Sequence, residues 1–279
     1  MTIAIITDSS SDIPRSLSDS LEISVIPCHV TINNIDYKDG VDLTGDEFFT
    51  LLKTCSDFPH TSQPSIAEFK TLYENHLNLG HDIISIHVSS KLSGTVNSAI
   101  QAKALLGDPE NIRIIDSRLA SLALGLVALQ ASRIARTTPE LDTVHDAVIS
   151  ACQRSQCFLA LDTLEYLHRG GRIGKAQAFL GGVLNVKPIL KLLDGEVEPV
   201  ERPRSIDRAI KRICSLVNEV SPVTDIGIIY STNLHNVDML RESLSHVDKS
   251  TNILVARFGA TLGTYVGPES IGVAVISSP

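Results

Sequence analysis

Residues 82–116, DIISIHVSSKLSGTVNSAIQAKALLGDPENIRIID, combine the signals of a strand, a helix and a second strand. The run DIISIHV is largely apolar and ends in a serine-rich turn, which is typical of a buried strand. From Ser93 to Leu106 apolar residues recur at roughly helical spacing, and IRIID returns to a strand pattern. This order predicts a β-α-β unit with parallel strands and therefore an α/β fold.

Strand and helix signals alternate in the same way along residues 1–156. Apolar runs predict further strands at residues 3–10 and 22–30. Residues 119–137 are predicted to form a helix that is apolar on nearly every face, so it should be buried on most sides. We therefore expect a mostly parallel sheet with flanking helices in this part of the chain.

Capping residues mark three helix starts in this half, at Ser11 or Asp12, at Thr44 and at Thr138. Thr44 is the clearest of these, because Glu47 follows at the spacing of a capping box. The segment HTSQPS, residues 60–65, is rich in hydroxyl groups and contains a proline, so it is predicted to be a polar loop ahead of the next helix.

The pattern changes after residue 156. Residues 187–200, KPILKLLDGEVEPV, have the form of a β-hairpin with Asp194-Gly195 as its tight turn. Ser205 is expected to cap an amphipathic helix, and a further helix is expected from Leu234 to about His246. Three apolar runs predict three more strands: DIGIIYS, NILVARF and GVAVISS.

A hairpin beside crossover units predicts a mixed sheet in the C-terminal half. We therefore divide the chain into two domains, an N-terminal α/β domain at residues 1–156 and a C-terminal mixed α/β domain at 157–279. Since no linker composition separates them, the two domains are expected to pack closely.

Composition excludes several classes of function. The 24 basic and 32 acidic residues give a net charge of −8, and no basic run offers the footprint that nucleic acids require. The longest uncharged stretch, Leu119–Ser132, is too short for a membrane span of about 20 residues. Aromatic residues make up only 4% of the chain and Trp is absent, so packing must depend on aliphatic side chains.

The start of the chain has no basic segment of the kind that opens a signal peptide. The five cysteines are odd in number and contain no CxxC pair, so we expect reduced thiols and a cytoplasmic location. The nine histidines are scattered and never reach ligand spacing with the cysteines, which gives no support for a structural metal site.

Three polar loops are candidates for binding. At Ser93-Gly94-Thr95 a helix starts directly after a strand, and free amides at a helix start favour an anion; the alternative interpretation is an ordinary serine N-cap. The other two loops, residues 60–65 and Asp8–Asp12, are also polar and rich in hydroxyl groups. Ligands of open α/β sheets bind at strand ends, so these loops are expected to face one crevice.

Signals for nucleotide binding or nucleophilic catalysis are weak. Residues 169–182, RGGRIGKAQAFLGG, match neither the Walker spacing nor GxGxxG, and no GxSxG elbow is present. Ser93 remains a candidate nucleophile for a hydrolase or acyltransferase. It lacks an evident base, because His87 lies within a predicted strand.

Taken together, several segments resemble the DegV family. They are TDSSSDIP at 7–14, TSQPS at 61–65, SSKLSGTVNSA at 89–99, Asp116-Ser117, LDTLEYLHRGGRIG at 161–174 and NVKPIL at 185–190. The resemblance covers nearly the whole chain. It implies a two-domain α/β protein that holds one long-chain fatty acid between its domains and acts as the binding subunit of a bacterial fatty-acid kinase system in phospholipid metabolism.

The resemblance also implies roles for individual residues. Thr61 and Ser93 match hydroxyls that bind the fatty-acid carboxylate, and Gly94 lies where a backbone amide would help. Arg172 matches an arginine at the carboxylate end and the kinase contact. In the last motif, TYVGPE, Tyr265 replaces the family histidine and is expected to donate a hydrogen bond through its hydroxyl.

The predicted function is therefore a lipid carrier without catalytic residues, cofactor or metal. Its expected partners are a long-chain fatty acid and a fatty-acid kinase subunit, with room for a transient contact with a membrane surface. Arg202 and Arg204 extend the basic residues around Arg172 and are assigned to the partner contact. The alternatives are a serine hydrolase or acyltransferase using Ser93, and a regulatory lipid-sensing module.

Overall fold

The computed structural model describes residues 2–180, 186–245, 247 and 252–279. The strands are β1 (Ile3–Asp8), β2 (Ser24–Ile26), β3 (His29–Ile32), β4 (Ile35–Lys38), β5 (His60–Ser62), β6 (Asp82–His87), β7 (Ile112–Asp116), β8 (Ser155–Ala160), β9 (Ile189–Leu193), β10 (Glu196–Glu201), β11 (Val223–Tyr230), β12 (Leu254–Arg257) and β13 (Ile271–Ser277). The α-helices are α1 (Arg15–Ser20), α2 (Gly45–Leu52), α3 (Ile66–Asn78), α4 (Thr95–Leu105), α5 (Ser121–Ala135), α6 (Leu141–Arg154), α7 (Glu165–Arg169), α8 (Ile206–Glu219), α9 (Leu234–Ser243) and α10 (Ala260–Val266). Two 3₁₀ turns cover Ser9–Ser11 and Gly174–Phe179.

The first sheet has the order β2-β1-β6-β7, and all three of its strand pairings are parallel. Residues 82–116 form the predicted β6-α4-β7 unit within it. The apolar side chains of β1 and β6 are buried on both faces of the sheet, as expected for parallel strands covered by helices. The predicted N-terminal parallel sheet is confirmed.

The C-terminal half forms a six-stranded mixed sheet in the order β10-β9-β8-β13-β11-β12. Only β11 and β12 among these neighbours are parallel. Strands β9 and β10 form the predicted hairpin, and both Asp194 and Gly195 have positive φ in its turn. The predicted mixed sheet is confirmed. Helix α9 ends at Ser243, and His246 lies outside the described residues.

A third sheet, β4-β3-β5, was not predicted. The expected strand at 22–30 is divided between two sheets, because the chain turns at Pro27 and the Cys28 amide bonds to Ser9 Oγ at 3.0 Å. The prediction of a loop at residues 60–65 was also wrong for its first half, since His60–Ser62 forms a strand that pairs antiparallel with β3. Polar residues are tolerated there because β5 is a short edge strand.

Helix starts followed the prediction only at some sites. Thr44 forms the complete capping box with Glu47, and Ser205 caps α8. Asp12 does not cap a helix: it ends the 3₁₀ turn in a left-handed conformation, and α1 begins after Pro14. Thr138 is not a cap either, because α6 starts three residues later with Glu140 at the N-cap position.

Helix α5 is the central element of the core. Most of its residues are buried, as predicted from its apolar composition. It packs against β1 of the first sheet and against β11 and β13 of the mixed sheet. One continuous hydrophobic cluster therefore includes side chains from both halves of the chain. The domain division at residue 156 stays a prediction.

Buried carboxylates attach α10 to the N-terminal half. Asp39 accepts hydrogen bonds from the amides of Ala260 at 2.9 Å and Thr261 at 3.2 Å, and Asp12 accepts one from Gly259 at 2.8 Å. Ser121 also donates to Asp12, at 2.7 Å. Both aspartates are almost fully buried. These bonds satisfy the free amides at the helix start and fix α10 against the loops that follow β1 and β4.

The titration of Asp12 should make stability depend on pH. Burial raises the pKa of Asp12 well above its usual value. An acidic group whose pKa is raised in the folded state contributes to the free energy of unfolding at low pH. This contribution is lost as the pH rises through the folded-state pKa. We therefore expect the free energy of unfolding of the native chain, relative to Asp12→Asn, to decrease as the pH rises from about 4.

Urea unfolding of the two proteins across a pH series measures this difference. Asp19→Asn, which alters an exposed carboxylate of α1, is the matched control and should run parallel to the native chain. A difference between native and Asp12→Asn proteins that is constant or grows with pH would contradict the expectation.

Candidate ligand-binding site

A cavity lies where the N-terminal strand ends, the β9–β10 hairpin and α10 meet. Its empty volume is about 860 Å³ including its opening to solvent. Most of its wall is aliphatic, with Val88, Leu92, Leu159, Leu192, Val197 and Leu262 among the lining residues. The hairpin is held in place as one wall by Ser89 Oγ, which donates to the Gly195 carbonyl at 2.8 Å.

The structure brings Thr61, Ser93, Arg172 and Tyr265 together in the lining of this cavity. Arg172 is exposed and the other three are partly exposed, and we call this group the mouth of the cavity. Thr61, from β5, shares a short hydrogen bond with the hydroxyl of Tyr265, from α10. The Arg172 guanidinium lies 5.3 Å from the centre of the Tyr265 ring. Its Nε donates to the Leu92 carbonyl at 3.2 Å. Four residues that are distant in sequence therefore surround one opening.

The start of α4 differs in detail from the two interpretations of Ser93. Gly94 is the N-cap residue and makes no side-chain cap. Ser93, one residue earlier, accepts a long hydrogen bond of 3.4 Å from the Thr95 amide through its Oγ, which also pairs with Thr95 Oγ1 at 2.8 Å. A Cβ at Gly94 would lie 2.6 Å from the side-chain nitrogen of Gln63. Glycine therefore allows residues after β5 to lie directly over the helix start, and Gly94 lies behind the wall rather than on it.

Tyr265 depends on a glycine in the same way. A Cβ at Gly170 would lie 2.5 Å from two carbons of the Tyr265 ring. Gly170 directly follows α7 and lies two residues before Arg172. The sequence RGGR therefore provides the space for the aromatic ring as well as the cation that lies over it.

This mouth has the chemistry of a carboxylate site. In a pair of hydroxyls one proton lies between the two oxygens, and the other is free to donate to a ligand. A guanidinium group adds positive charge, and the amides at the start of α4 add partial positive charge. Thr61, Tyr265, Ser93 and Arg172 can therefore receive the head of an anionic ligand whose remainder lies in the aliphatic cavity.

The other predicted partner-contact residues lie outside the cavity. Arg202 stacks over the Phe179 ring at 4.7 Å, and Arg204 follows in the same exposed segment after β10. Within the wider basic patch, Arg169 pairs with Glu165 at 3.5 Å and Lys175 with Glu198 at 2.5 Å. These ion pairs reduce the net positive charge of the patch.

Sequence reasoning missed Cys157, Leu159 and Thr261 as lining residues of the cavity. Cys157 and Leu159 alternate inward along β8, while Phe158 and Ala160 face the second core cluster. On α10, Thr261 and Tyr265 are four residues apart and share the cavity-facing side. Strand and helix periodicity in these two segments is the signal that could have identified them.

His87 does not activate Ser93. Its Nδ1 lies 3.0 Å from Asp8 Oδ2 and its Nε2 lies 2.6 Å from Ser85 Oγ. The imidazole is fully buried in β6, as its predicted position in a strand implied. Both ring nitrogens are therefore used within the core, and the Ser93 hydroxyl has no histidine base at this position.

The cysteines form no further site among the described residues. All five cysteines are free thiols, and burial raises the pKa of Cys157 to about 12, so this thiol is a neutral core group. No group of three or more potential metal ligands occurs among the described side chains. None of the helices described is long and apolar enough to cross a bilayer.

A family model described as "Uncharacterised protein, DegV family" matches residues 2–278. The chain belongs to the DegV family. A DegV domain-containing protein of Caldanaerobacter subterraneus is 34% identical over 274 residues, covering 97% of both chains. Protein DegV of Bacillus subtilis is 32% identical over 281 residues, with 98% of each chain covered.

Solved DegV structures share the fold. A DegV family protein from Thermus thermophilus, described as binding fatty acid, superimposes with a TM-score of 0.91 at 33% identity over 100% of both chains. DegV of Bacillus subtilis, described as a fatty acid binding protein, gives a TM-score of 0.89 at 31% identity, again over 100% of both. The predicted α/β architecture is therefore that of the DegV fatty-acid-binding structures.

The close fit of Gly170 against Tyr265 can be tested by stability. Gly170→Ala should destabilise the protein by about 1–3 kcal/mol, because the added methyl overlaps the ring. In a Tyr265→Ala background the same substitution should cost much less, since the ring is gone and only the Tyr166 carbonyl oxygen, 3.1 Å from the added Cβ, remains close. Urea unfolding of the four proteins in this double-mutant cycle measures the coupling. An equal cost in both backgrounds would contradict the contact.

Proposed function

We propose that this chain binds a long-chain fatty acid, with the carboxylate at the cavity mouth and the acyl chain along the aliphatic wall. The observation that carries this proposal is that one cavity combines two kinds of lining: the hydroxyl pair Thr61–Tyr265, Ser93 and Arg172 on one side of its chemistry, and a set of aliphatic side chains on the other. The fatty-acid binding described for the relatives from Thermus thermophilus and Bacillus subtilis supports the same ligand class.

The energetics are sufficient for such a ligand. Burying about 15 methylene groups at about 0.8 kcal/mol each provides about 12 kcal/mol before costs. Immobilisation and imperfect fit remove several kcal/mol of this, which leaves an affinity in the micromolar to nanomolar range. The acyl chain supplies most of the binding energy, and the mouth residues set the orientation of the head group.

The same orientation would allow a second protein to act on the carboxylate. We propose that the chain is a carrier that presents the fatty acid to a cytoplasmic fatty-acid kinase, which forms the acyl phosphate. The exposed Arg172 at the mouth, together with the exposed Arg202 and Arg204, would form the partner contact, and the ligand would be exchanged in a transient contact with a membrane surface. This chain would contribute no catalytic residue and no cofactor.

The two alternatives differ in their requirements. A hydrolase or acyltransferase using Ser93 needs a base, and the engagement of His87 with Asp8 and Ser85 argues against it. A regulatory lipid-sensing module would use the same cavity without a kinase. A kinase assay therefore separates the carrier from the sensor.

Ligand binding is tested by extracting the purified protein with organic solvent and measuring acyl lipids by mass spectrometry, followed by palmitate titration of the delipidated protein. We expect a fatty acid at close to one per chain. Tyr265→Phe should weaken palmitate binding about tenfold, because a hydrogen bond to a charged group contributes about 1.5 kcal/mol.

Tyr37→Phe, which removes a hydroxyl outside the cavity, is the matched control and should bind palmitate like the native protein. Absence of both extracted lipid and palmitate uptake would refute the proposed function. Turnover of an acyl ester that is lost in Ser93→Ala would favour the hydrolase instead.

Kinase presentation is tested with a bacterial fatty-acid kinase, ATP and loaded carrier. Arg172→Ala should lower the rate of acyl-phosphate formation at limiting carrier by about tenfold or more, since it removes a charge from the proposed contact. Arg208→Ala, which removes an exposed arginine of α8, should have no effect. Equal rates for all three proteins would remove Arg172 from the interface, and no acyl phosphate with native carrier would favour the sensor.

A further inference from the structure

Two histidines are brought together where helix α3 ends. The segment HLNLGH, residues 76–81, closes this helix and leads directly into β6. The Gly80 amide donates to the Leu77 carbonyl at 2.9 Å, and the His81 amide donates to the His76 carbonyl at 3.1 Å. Gly80 has a φ of +76°. These two bonds around a left-handed glycine form a Schellman motif, which fixes the backbone at the helix end.

The motif decides which side chains meet. In a Schellman motif the third residue from the helix end and the second residue after the cap face each other, often in a hydrophobic contact. In this chain both positions are histidines. Nδ1 of His76 lies 3.3 Å from Nδ1 of His81, and the ring centres are 5.5 Å apart. Both residues are partly exposed, so an ion in solution can reach the pair.

The separation of the two nitrogens matches that of two ligands on one metal ion. Zn²⁺ binds imidazole nitrogens at about 2.0–2.1 Å with tetrahedral angles, which places two such nitrogens about 3.3 Å apart. Without a metal, one ring donates a proton along the line between the two Nδ1 atoms and the other ring accepts it. An ion takes the place of this proton, which moves to Nε2 of the donating ring. A rotation of each ring then turns its Nδ1 lone pair towards the ion.

The other nitrogen of His76 is already held in place. Its Nε2 lies 2.9 Å from the Oγ of Ser24, the first residue of β2. Metal-bound histidines commonly use their second ring nitrogen in such a bond, which fixes the tautomer and the ring orientation. Partial burial and the neighbouring His81 lower the pKa of His76. This ring is therefore neutral at neutral pH, which is the form that binds a metal.

The surroundings favour a cation of a particular class. Asp19, Glu22 and Arg136 line the same surface depression as the two histidines, so two carboxylates oppose one guanidinium. No third ligand joins the pair among the described residues, which leaves the remaining coordination positions to water. Imidazole nitrogen suits zinc, nickel and copper, whereas magnesium and calcium prefer oxygen ligands.

We propose that His76 and His81 form a binding site for a divalent transition-metal ion, with Zn²⁺ as its representative. The ion joins the end of α3 to the start of β6, and the bond to Ser24 extends this link to β2. The site lies at the amino ends of the strands of the first sheet, whereas the cavity lies beyond their carboxyl ends. The role of the ion is therefore structural and independent of the proposed function. This site replaces the expectation that the chain binds no metal.

Zn²⁺ binding is tested by equilibrium dialysis of the untagged full chain at neutral pH. We expect one Zn²⁺ per chain, bound at least about tenfold more weakly by His76→Ala and by His81→Ala, since each variant keeps a single imidazole. His145→Ala is the matched control, because this half-buried histidine of α6 pairs with Asp146 instead of a second histidine. It should bind like the native chain. No binding by the native chain, or equal affinity in all four proteins, overturns the proposal.

Two further measurements locate the ion. In nitrogen NMR of the histidine rings, Zn²⁺ should shift the Nδ1 resonances of His76 and His81, and shifts confined to other histidines overturn the assignment. The urea midpoint of the native chain should rise with Zn²⁺, because only the folded chain holds the two rings together. This rise should be lost in both alanine variants, whatever their stability without metal. A rise of equal size in both variants overturns the site.

Discussion

The attachment of α10 to two buried carboxylates is the interaction on which the site depends. Asp39 and Asp12 satisfy three amides at the start of this seven-residue helix. A helix so short has little stability of its own in water. Its position is therefore set by residues more than two hundred positions earlier in the chain. Because α10 carries Thr261, Leu262 and Tyr265, these bonds also position one whole wall of the cavity.

Burial of these aspartates has a cost, since desolvation disfavours their charged forms and raises the pKa of both. The fold tolerates this because both aspartates accept backbone amides of the α10 start and so join elements of the two halves of the chain. Apolar side chains of α5 and β8 belong to one continuous hydrophobic core beside the cavity. Polar anchors and a largely apolar lining together shape the cavity.

Much of the fold could be predicted from local signals. The β6-α4-β7 unit, the buried helix α5 and the β9–β10 hairpin each carry a strong period or turn signal in a continuous stretch. The third sheet could not be predicted, because His60–Ser62 is polar and becomes a strand only by pairing with β3. The same reasoning explains Asp12, which has the sequence context of a helix cap but binds a distant amide.

The sequence by itself determined the fold class and the aliphatic character of the interior, which follow from composition and period. Its resemblance to the DegV family marked Thr61, Ser93, Gly94 and Tyr265 as candidate ligand residues and Arg172 as a partner contact, and the motifs that carry this resemblance are local properties of the chain. Only the tertiary structure decided that Thr61 bonds to Tyr265, that Gly170 makes room for that ring, and that Ser10 and Ser121 lie inside the cavity. Each of these depends on contacts between segments far apart in the chain, and no local pattern encodes which distant backbone or side chain will supply the partner.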